Sequence, residues 1–182
     1  MLWILYWNYR GFPWNKRPKL SWFSNDVDII FLVETWEHEE SKVPNIDSFA
    51  LWSTWNKWSS HRGIGGIACY IKKNISPHAR IYKNNPYNQY SWIEIADIND
   101  KKTYIAICYF SPINSNFYKK NNLDKNSPYN GLENDISSLR NEGNILLVGD
   151  FNARTSSNQA IILSNHSNPN PLWLYEYLTL AS

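Results

Sequence analysis

The chain has 182 residues, a length that suits a single domain with one sizeable hydrophobic core. Its 18 basic and 16 acidic side chains leave a net charge of +2, which neither identifies nor excludes a nucleic-acid-binding protein. A hydrophobic fraction of 43% argues against disorder, which requires few apolar residues and a high net charge. Because we find no apolar run of ~20 residues and no signal-peptide pattern, we expect an intracellular globular protein.

The first half of the sequence predicts four strands joined by polar connections. The apolar and β-branched runs that predict them are Met1–Trp7, Asp28–Val33, Phe49–Thr54 and Ile64–Lys72. The second run is apolar at nearly every position, which indicates a strand covered on both faces. The adjacent glycines Gly65 and Gly66 predict a bulge in the fourth strand or a close approach of its backbone to a neighbour. A short helix is predicted over Leu20–Ser24.

The second half predicts a hairpin, one helix and a further strand. The hairpin consists of Ser91–Ala96 and Thr103–Tyr109 around the turn residues Asn99-Asp100. Leu132, Ile136 and Leu139 have the spacing of an amphipathic helix, which we expect to end near Gly143. The remaining predictions are loops over 75–88 and 114–130, a buried strand over 144–149, one helical turn over 159–163 and an apolar tail without a partner over 172–180.

The two cysteines, Cys69 and Cys108, each lie inside an apolar run. Two cysteines cannot build a disulfide scaffold, so we expect buried, reduced thiols.

Polar side chains follow four of the predicted strands at the point where each strand ends. They are Asn8, Glu34, Tyr109, and Asp150 with Asn152. Strand ends at one edge of a sheet can bring together side chains that are distant in sequence, and carboxylate and amide oxygens suit Mg²⁺. Taken singly, each residue also has a structural interpretation: Asp150 as a turn residue, Glu34 as a solvated strand end and Tyr109 as part of the core.

Five segments resemble, in chain order, the motifs of the endonuclease/exonuclease/phosphatase family. They are Asn8-Tyr9-Arg10-Gly11, Glu34-Thr35-Trp36, Arg62–Tyr70, Tyr109-Phe110-Ser111-Pro112 and Leu147–Arg154, the last of which contains the sequence GDFNA. Within the family, these motif sequences are most similar to those of the endonuclease domain of non-LTR retrotransposons. That domain in turn is similar to the abasic-site repair endonucleases. The resemblance implies an α/β (α+β) fold in which a layered β-sandwich is flanked by helices.

The resemblance also implies a role for each matching residue. Glu34 would bind Mg²⁺, with Mn²⁺ as the alternative ion, and Asn8 would help to orient the metal and its ligands. Asp150 would orient or deprotonate the attacking water, while Asn152 would bind that water or the scissile phosphate. Tyr109 would donate a hydrogen bond to a phosphate oxygen as charge builds there. The implied reaction is hydrolysis of a DNA phosphodiester.

Basic residues in or beside these motifs are candidates for contacts with DNA phosphates. Arg10, Arg62 and Arg154 would position the duplex without reading its sequence. Each of them can equally be a solvated surface charge. A DNA substrate would imply a nuclear location, although the sequence shows no targeting signal.

The family's C-terminal Ser-Asp-His motif does not occur in the sequence. Ser164-Asn165-His166 has a similar form, but it lies too early in the chain, and Asn cannot supply the negative charge of Asp. We therefore expect residues 1–182 to form a single domain of this family that lacks its C-terminal part, and to hydrolyse DNA weakly or not at all.

Three functions remain open at this point. The chain can be an endonuclease domain, continuous with a reverse transcriptase in a longer parent protein. It can be a remnant without catalysis that binds nucleic acid. It can also be a phosphoesterase of the same fold that acts on a small phosphorylated substrate, because one fold hosts several substrates.

Overall fold

A computed structural model of the chain describes residues 2–9, 25–36, 45–54, 65–112, 114–152 and 173–175. The described residues divide into two compact units, one that extends to Ala79 and one that begins at Arg80. Each unit contains one mixed β-sheet, and both α-helices of the described residues lie in the second unit. The predicted α/β class is therefore confirmed. No helix within the described ranges is long and apolar enough to cross a membrane.

The first sheet contains four strands in the order β1-β2-β4-β3. These strands are β1 (Ile4–Asn8), β2 (Ile29–Val33), β3 (Phe49–Thr54) and β4 (Ile67–Lys72). β1 runs parallel to β2, whereas β4 is antiparallel to both of its neighbours. Every residue of β2 is buried, as its continuous apolar run predicts. Ile30 and Leu32 of β2 pack with Tyr70 and Phe49 in the main apolar cluster of this sheet.

The second sheet contains five strands in the order β5-β6-β7-β8-β9. They are β5 (Ala79–Asn84), β6 (Tyr90–Ala96), β7 (Lys102–Tyr109), β8 (Gly143–Asp150) and β9 (Trp173–Tyr175). β6 and β7 form the predicted antiparallel hairpin, while β7, β8 and β9 run parallel to one another. The helices are α1 (Asn116–Lys120) and α2 (Ser127–Leu139), and a 3-10 helix (Ser76–His78) precedes β5.

Helix α2 covers one face of the second sheet. Leu132 and Leu139 are buried in the same cluster as Trp92 of β6, which confirms the predicted amphipathic helix. Asp135 is also buried, and its carboxylate accepts a hydrogen bond from the Trp92 indole nitrogen at 3.1 Å and pairs with the ammonium group of Lys83. A buried carboxylate is tolerated here because both of its oxygens have partners.

Three segments predicted as loops or as an unpaired tail form regular structure. The segment 75–88 contains β5, an edge strand that was missed because five of its six residues are exposed and their sequence lacks an apolar alternation. The segment 114–130 contains α1 and the start of α2. Within the tail, residues 173–175 form β9, which pairs in parallel with β8. The strand depends on this backbone pairing, which the local sequence does not reveal.

The prediction for the two cysteines is confirmed, whereas the two adjacent glycines lie at a different place from the one predicted. Cys69 and Cys108 are buried free thiols, and desolvation by burial raises the pKa of both. Gly65 and Gly66 lie before β4 and not inside it. The predicted helical segments over 20–24 and 159–163 lie outside the described residues.

Candidate active site

The C-terminal ends of β1 and β2 form one edge of the first sheet. Asn8 is in register with Val33, so the two parallel strands end at the same level, and Glu34 follows Val33 directly. The backbone N–H of Tyr9 donates to the carbonyl of Val33 at 2.9 Å, which extends this pairing beyond the strands. Asn8 and Glu34 are both half-buried. The structure thus brings these two predicted residues to the same strand edge.

The turn Glu34-Thr35-Trp36 has an unusual backbone conformation. Glu34 has a φ of 54° and Trp36 a φ of 52°, in the left-handed region that L-residues with side chains rarely adopt. Such a conformation costs roughly 1–2 kcal/mol per residue. The buried Thr35 lies between them, and the backbone N–H of Trp36 donates to the carbonyl of Gly65 at 2.9 Å.

The glycines opposite this turn have a definite structural role. Gly65 and Gly66 have φ values of 69° and 90°, which glycine adopts without strain because it lacks a Cβ atom. Their carbonyl groups accept the backbone N–H groups of Trp36 and Thr35. The glycine-rich segment therefore fixes the turn that follows Glu34, which the sequence had only indicated as a bulge or close approach.

The donor atoms at the first edge fit a hard divalent cation. Glu34 offers a carboxylate and Asn8 an amide oxygen, and Mg²⁺ binds through one or two carboxylates while keeping several waters. Within the part of the chain that the structure describes, no group of three or more His, Cys, Asp and Glu side chains could hold a metal ion.

The second edge lies at the C-terminal ends of β7 and β8. Tyr109 is in register with Asp150, and the backbone N–H of Phe110 donates to the Asp150 carbonyl at 2.9 Å. The Asp150 carboxylate accepts the backbone N–H of Asn152 at 2.9 Å. The Asn152 side-chain amide in turn donates to the Phe110 carbonyl at 2.6 Å. The structure thus brings together three predicted residues, Tyr109, Asp150 and Asn152.

Two backbone features shape the second edge: the positive φ of Asn152 and the close approach of strands at Gly149 in the GDFNA sequence. Asn152 has a φ of 45°, a conformation that Asn tolerates better than most residues. A Cβ atom on Gly149 would collide with the backbone carbonyl of Cys108, so only glycine allows β7 and β8 to approach as they do. The chain therefore reaches Asp150 in a defined register.

Gln89 forms hydrogen bonds to the residues at the end of β7, a role that the sequence did not indicate. Its backbone carbonyl accepts the N–H of Tyr109 at 2.8 Å, and its side-chain oxygen accepts the N–H of Ser111 at 2.8 Å. Its amide nitrogen donates to the Ser111 hydroxyl at 3.4 Å. Both residues are buried, so these bonds replace water and fix the segment that follows β7.

Tyr129 supports the signature segment from α2. Its hydroxyl donates to the Phe151 carbonyl at 2.8 Å, and its ring lies edge-on to Phe110 with the centroids 4.5 Å apart. Burial, followed by the negative charge of Asp150, raises the pKa of Tyr129. Because Tyr129 lies three residues before Leu132, extending the helical apolar pattern by one turn would have identified it.

Several candidate residues lie outside the described residues. These are the predicted phosphate contacts Arg10, Arg62 and Arg154, and the segment Ser164-Asn165-His166.

The comparisons with known proteins support the family that the sequence motifs resemble. The sequence model of the Endonuclease/Exonuclease/phosphatase family matches residues 7–177, so the chain belongs to this family. The family's enzymes are nucleases and phosphoesterases that generally use divalent metal ions. No curated protein sequence matches the chain significantly.

Among solved structures, the chain is similar to the AP endonuclease LMAP from Leishmania major, with a TM-score of 0.52 and 13% sequence identity. The similarity covers 65% of this chain and 43% of the AP endonuclease chain. At this identity the match confirms the predicted fold type. The chain thus spans less than half the length of that relative.

Proposed function

We propose that the chain is a Mg²⁺-dependent DNA endonuclease domain of the retrotransposon type, which nicks a strand by hydrolysing a phosphodiester. The observation that carries the proposal is the second edge, where backbone and side-chain hydrogen bonds join the segments that contain Tyr109, Asp150 and Asn152. These residues come from two separate motifs of a family that hydrolyses phosphoesters. The fold similarity to an AP endonuclease favours DNA over a small phosphorylated substrate.

The first edge would supply the metal ligands. Glu34 would bind Mg²⁺, or Mn²⁺ in its place, and Asn8 would orient the ion and its other ligands. A bound divalent ion supplies positive charge that polarises the phosphodiester and stabilises charge on the leaving oxygen.

The second edge would supply the groups that act on water and phosphate. Asp150 would orient the attacking water or take its proton, and its bond to the Asn152 N–H limits rotation of the carboxylate. Asn152 would contact the water or the scissile phosphate. Tyr109 would donate its hydroxyl proton in a hydrogen bond to a phosphate oxygen that gains charge in the transition state.

Binding of DNA would rely mainly on its phosphates. Arg10, Arg62 and Arg154 would contact phosphates of the DNA backbone. Under this proposal residues 1–182 belong to a single endonuclease domain located in the nucleus, and in a longer parent protein the domain would be continuous with a reverse transcriptase.

We expect slow catalysis from these 182 residues. The sequence contains no Ser-Asp-His motif, which in the resembled family contacts the phosphate through its histidine. Loss of groups that act as a unit lowers rates by several orders of magnitude. The assay therefore has to detect rare events.

Nicking of supercoiled plasmid DNA tests the proposal, because a single nick relaxes a whole plasmid. We expect slow nicking in Mg²⁺ and none in EDTA. Glu34→Gln and Asp150→Asn should each lower the rate by about a hundredfold or more, since each removes a group used in the transition state. The matched controls are Glu133→Gln and Asp47→Asn, which change exposed carboxylates elsewhere and should leave the rate unchanged.

Three results would contradict the proposal. Nicking that survives both active-site substitutions would come from another source. An absence of nicking at high protein concentration in Mg²⁺ and in Mn²⁺ would support a remnant without catalysis. Hydrolysis of p-nitrophenyl phosphate without plasmid nicking would support a phosphoesterase for small substrates.

A further inference from the structure

Among the described residues of the first unit, Trp3 and Trp36 are the exposed aromatic residues, and they differ in how their backbones are held. Trp36 is 43% exposed, and it lies two residues after Glu34. Its φ of 52° is strained for a bulky residue, and its N–H is bound to the Gly65 carbonyl. An isolated exposed tryptophan is ordinary, but one held in a strained conformation is not.

Trp3 provides the comparison within the same sheet. It is 60% exposed and precedes β1, at the opposite end of the strand from Asn8. Its carbonyl accepts the N–H groups of Asp28 and Ile29, and its backbone is not among the left-handed residues. The first sheet therefore presents an exposed tryptophan at each end, but only Trp36 combines strain with proximity to a proposed metal ligand.

We propose that Trp36 stacks on an unpaired nucleobase of the DNA strand beside the scissile phosphate. This inference rests on the proposed function, in which Glu34 would bind the divalent ion that polarises the phosphodiester. The groups that flank a phosphodiester in DNA are sugars and bases, so an exposed aromatic side chain two residues from Glu34 would meet a sugar or a base beside that phosphate. Stacking between an aromatic ring and a base is worth about 1–3 kcal/mol per base and does not depend on sequence.

The stacking partner has to be a base that is not already stacked. In a regular duplex, neighbouring base pairs cover both faces of each base, so Trp36 can reach a base only where the duplex is locally open. The substrate class this selects is DNA with an unpaired stretch, such as a mismatch bubble or a single strand. A perfect duplex would gain nothing from Trp36.

Fluorescence anisotropy with labelled oligonucleotides tests this inference in EDTA, where no cleavage occurs. An external label is needed because the chain contains ten tryptophans, so its intrinsic fluorescence does not report on Trp36 alone. The probes are a single strand, a duplex with a mismatch bubble and the matched perfect duplex. We expect wild type to prefer the first two probes by about fivefold or more.

Three variants distinguish stacking from a general effect. Trp36→Ala should lose about 5- to 150-fold in affinity for the bubble and the single strand, and it should bind the perfect duplex as wild type does. Trp36→Phe keeps an aromatic face and should retain most of the preference. Trp3→Ala, the matched control, should leave binding of all three probes unchanged.

The inference is overturned if wild type does not prefer the bubble and the single strand over the perfect duplex, or if Trp36→Ala keeps that preference. It is also overturned if Trp36→Phe or Trp3→Ala loses as much affinity for the bubble and the single strand as Trp36→Ala does. Circular dichroism and gel filtration of each variant exclude loss of folding as the cause. Because binding is measured without turnover, a failure of plasmid nicking would refute the endonuclease proposal and leave this measurement valid.

Discussion

The two strand edges hold their functional residues by different means. At the first edge, backbone conformation does so: Glu34 and Trp36 adopt left-handed φ values opposite two glycines. At the second edge, side chains do so: Gln89, Asn152 and Tyr129 each bond to the backbone beside the site. The difference teaches that a functional turn can be fixed by strained backbone conformations held by backbone hydrogen bonds, or by side chains that bond to the backbone from neighbouring elements.

The largest expected effect comes from removing the network at the second edge. Gln89→Leu leaves the buried N–H and hydroxyl of Ser111 without their partner, which should lower the free energy of unfolding by about 2–3 kcal/mol. Urea denaturation measures this loss. The exposed Ser138→Ala, which removes one bond within α2, should change stability by less than ~0.5 kcal/mol. Equal effects of the two substitutions would show that Gln89 does not organise the edge.

An intermediate effect is expected from glycine substitutions, which test backbone strain at the first edge and a side-chain hydrogen bond at the second. At Trp36, glycine should be more stable than alanine by about 1 kcal/mol, because only the alanine variant retains the strain of a positive φ. At Asn152, glycine relieves little strain and loses the bond to Phe110, so Asn152→Gly should be less stable than wild type by about 1 kcal/mol.

Thermal unfolding of these variants measures both differences. If Trp36→Gly is no more stable than Trp36→Ala, the turn after Glu34 is not strained in solution. If Asn152→Gly matches wild type, the side chain of Asn152 does not hold the second edge.

The smallest expected effect is the response of the second sheet to acid. Both guanidinium nitrogens of Arg80 that face Glu94 bond to its carboxylate, at 3.0 and 2.9 Å, and this hydrogen bonding lowers the pKa of Glu94. Because the folded pKa is lowered, the unfolded chain takes up the proton first as the pH falls. This contribution to stability is present above the usual pKa near 4.5 and is lost below it.

Urea midpoints between pH 7 and pH 3 measure this contribution. The drop in midpoint with acid should be smaller in Arg80→Met than in wild type, since that variant has already lost the pair. An identical pH dependence in the two proteins would show that the pair does not lower the pKa of Glu94 in solution.

The sequence indicated the polar residues at the ends of the strands, but not the hydrogen bonds and backbone conformations that position them. Asn8, Glu34, Tyr109 and Asp150 were found because a polar residue that ends an apolar run is a local signal. Gln89 was missed because its partner Ser111 is 22 residues away and no local pattern links them. The positive φ of Trp36 was missed as well, because nothing in a tryptophan indicates a left-handed backbone; the facing carbonyl of Gly65 holds it there.

Strand β5 and helix α1 show the same limit on a larger scale. β5 is an exposed edge strand whose polar sequence predicts a loop, and it is placed by pairing with β6 and by the bond between Arg80 and Glu94. α1 has only five residues, too few for a helical pattern to be visible in sequence. Elements formed by tertiary contacts leave no periodic signal.

Binding of Mn²⁺, followed by electron paramagnetic resonance, tests most directly the central claim that Glu34 is a ligand of the divalent ion. The account predicts a single site per chain, whose affinity falls about tenfold or more in Glu34→Gln and is unchanged in the control Asp47→Asn, because only the first substitution removes a ligand. An affinity that is unchanged in Glu34→Gln would contradict the claim.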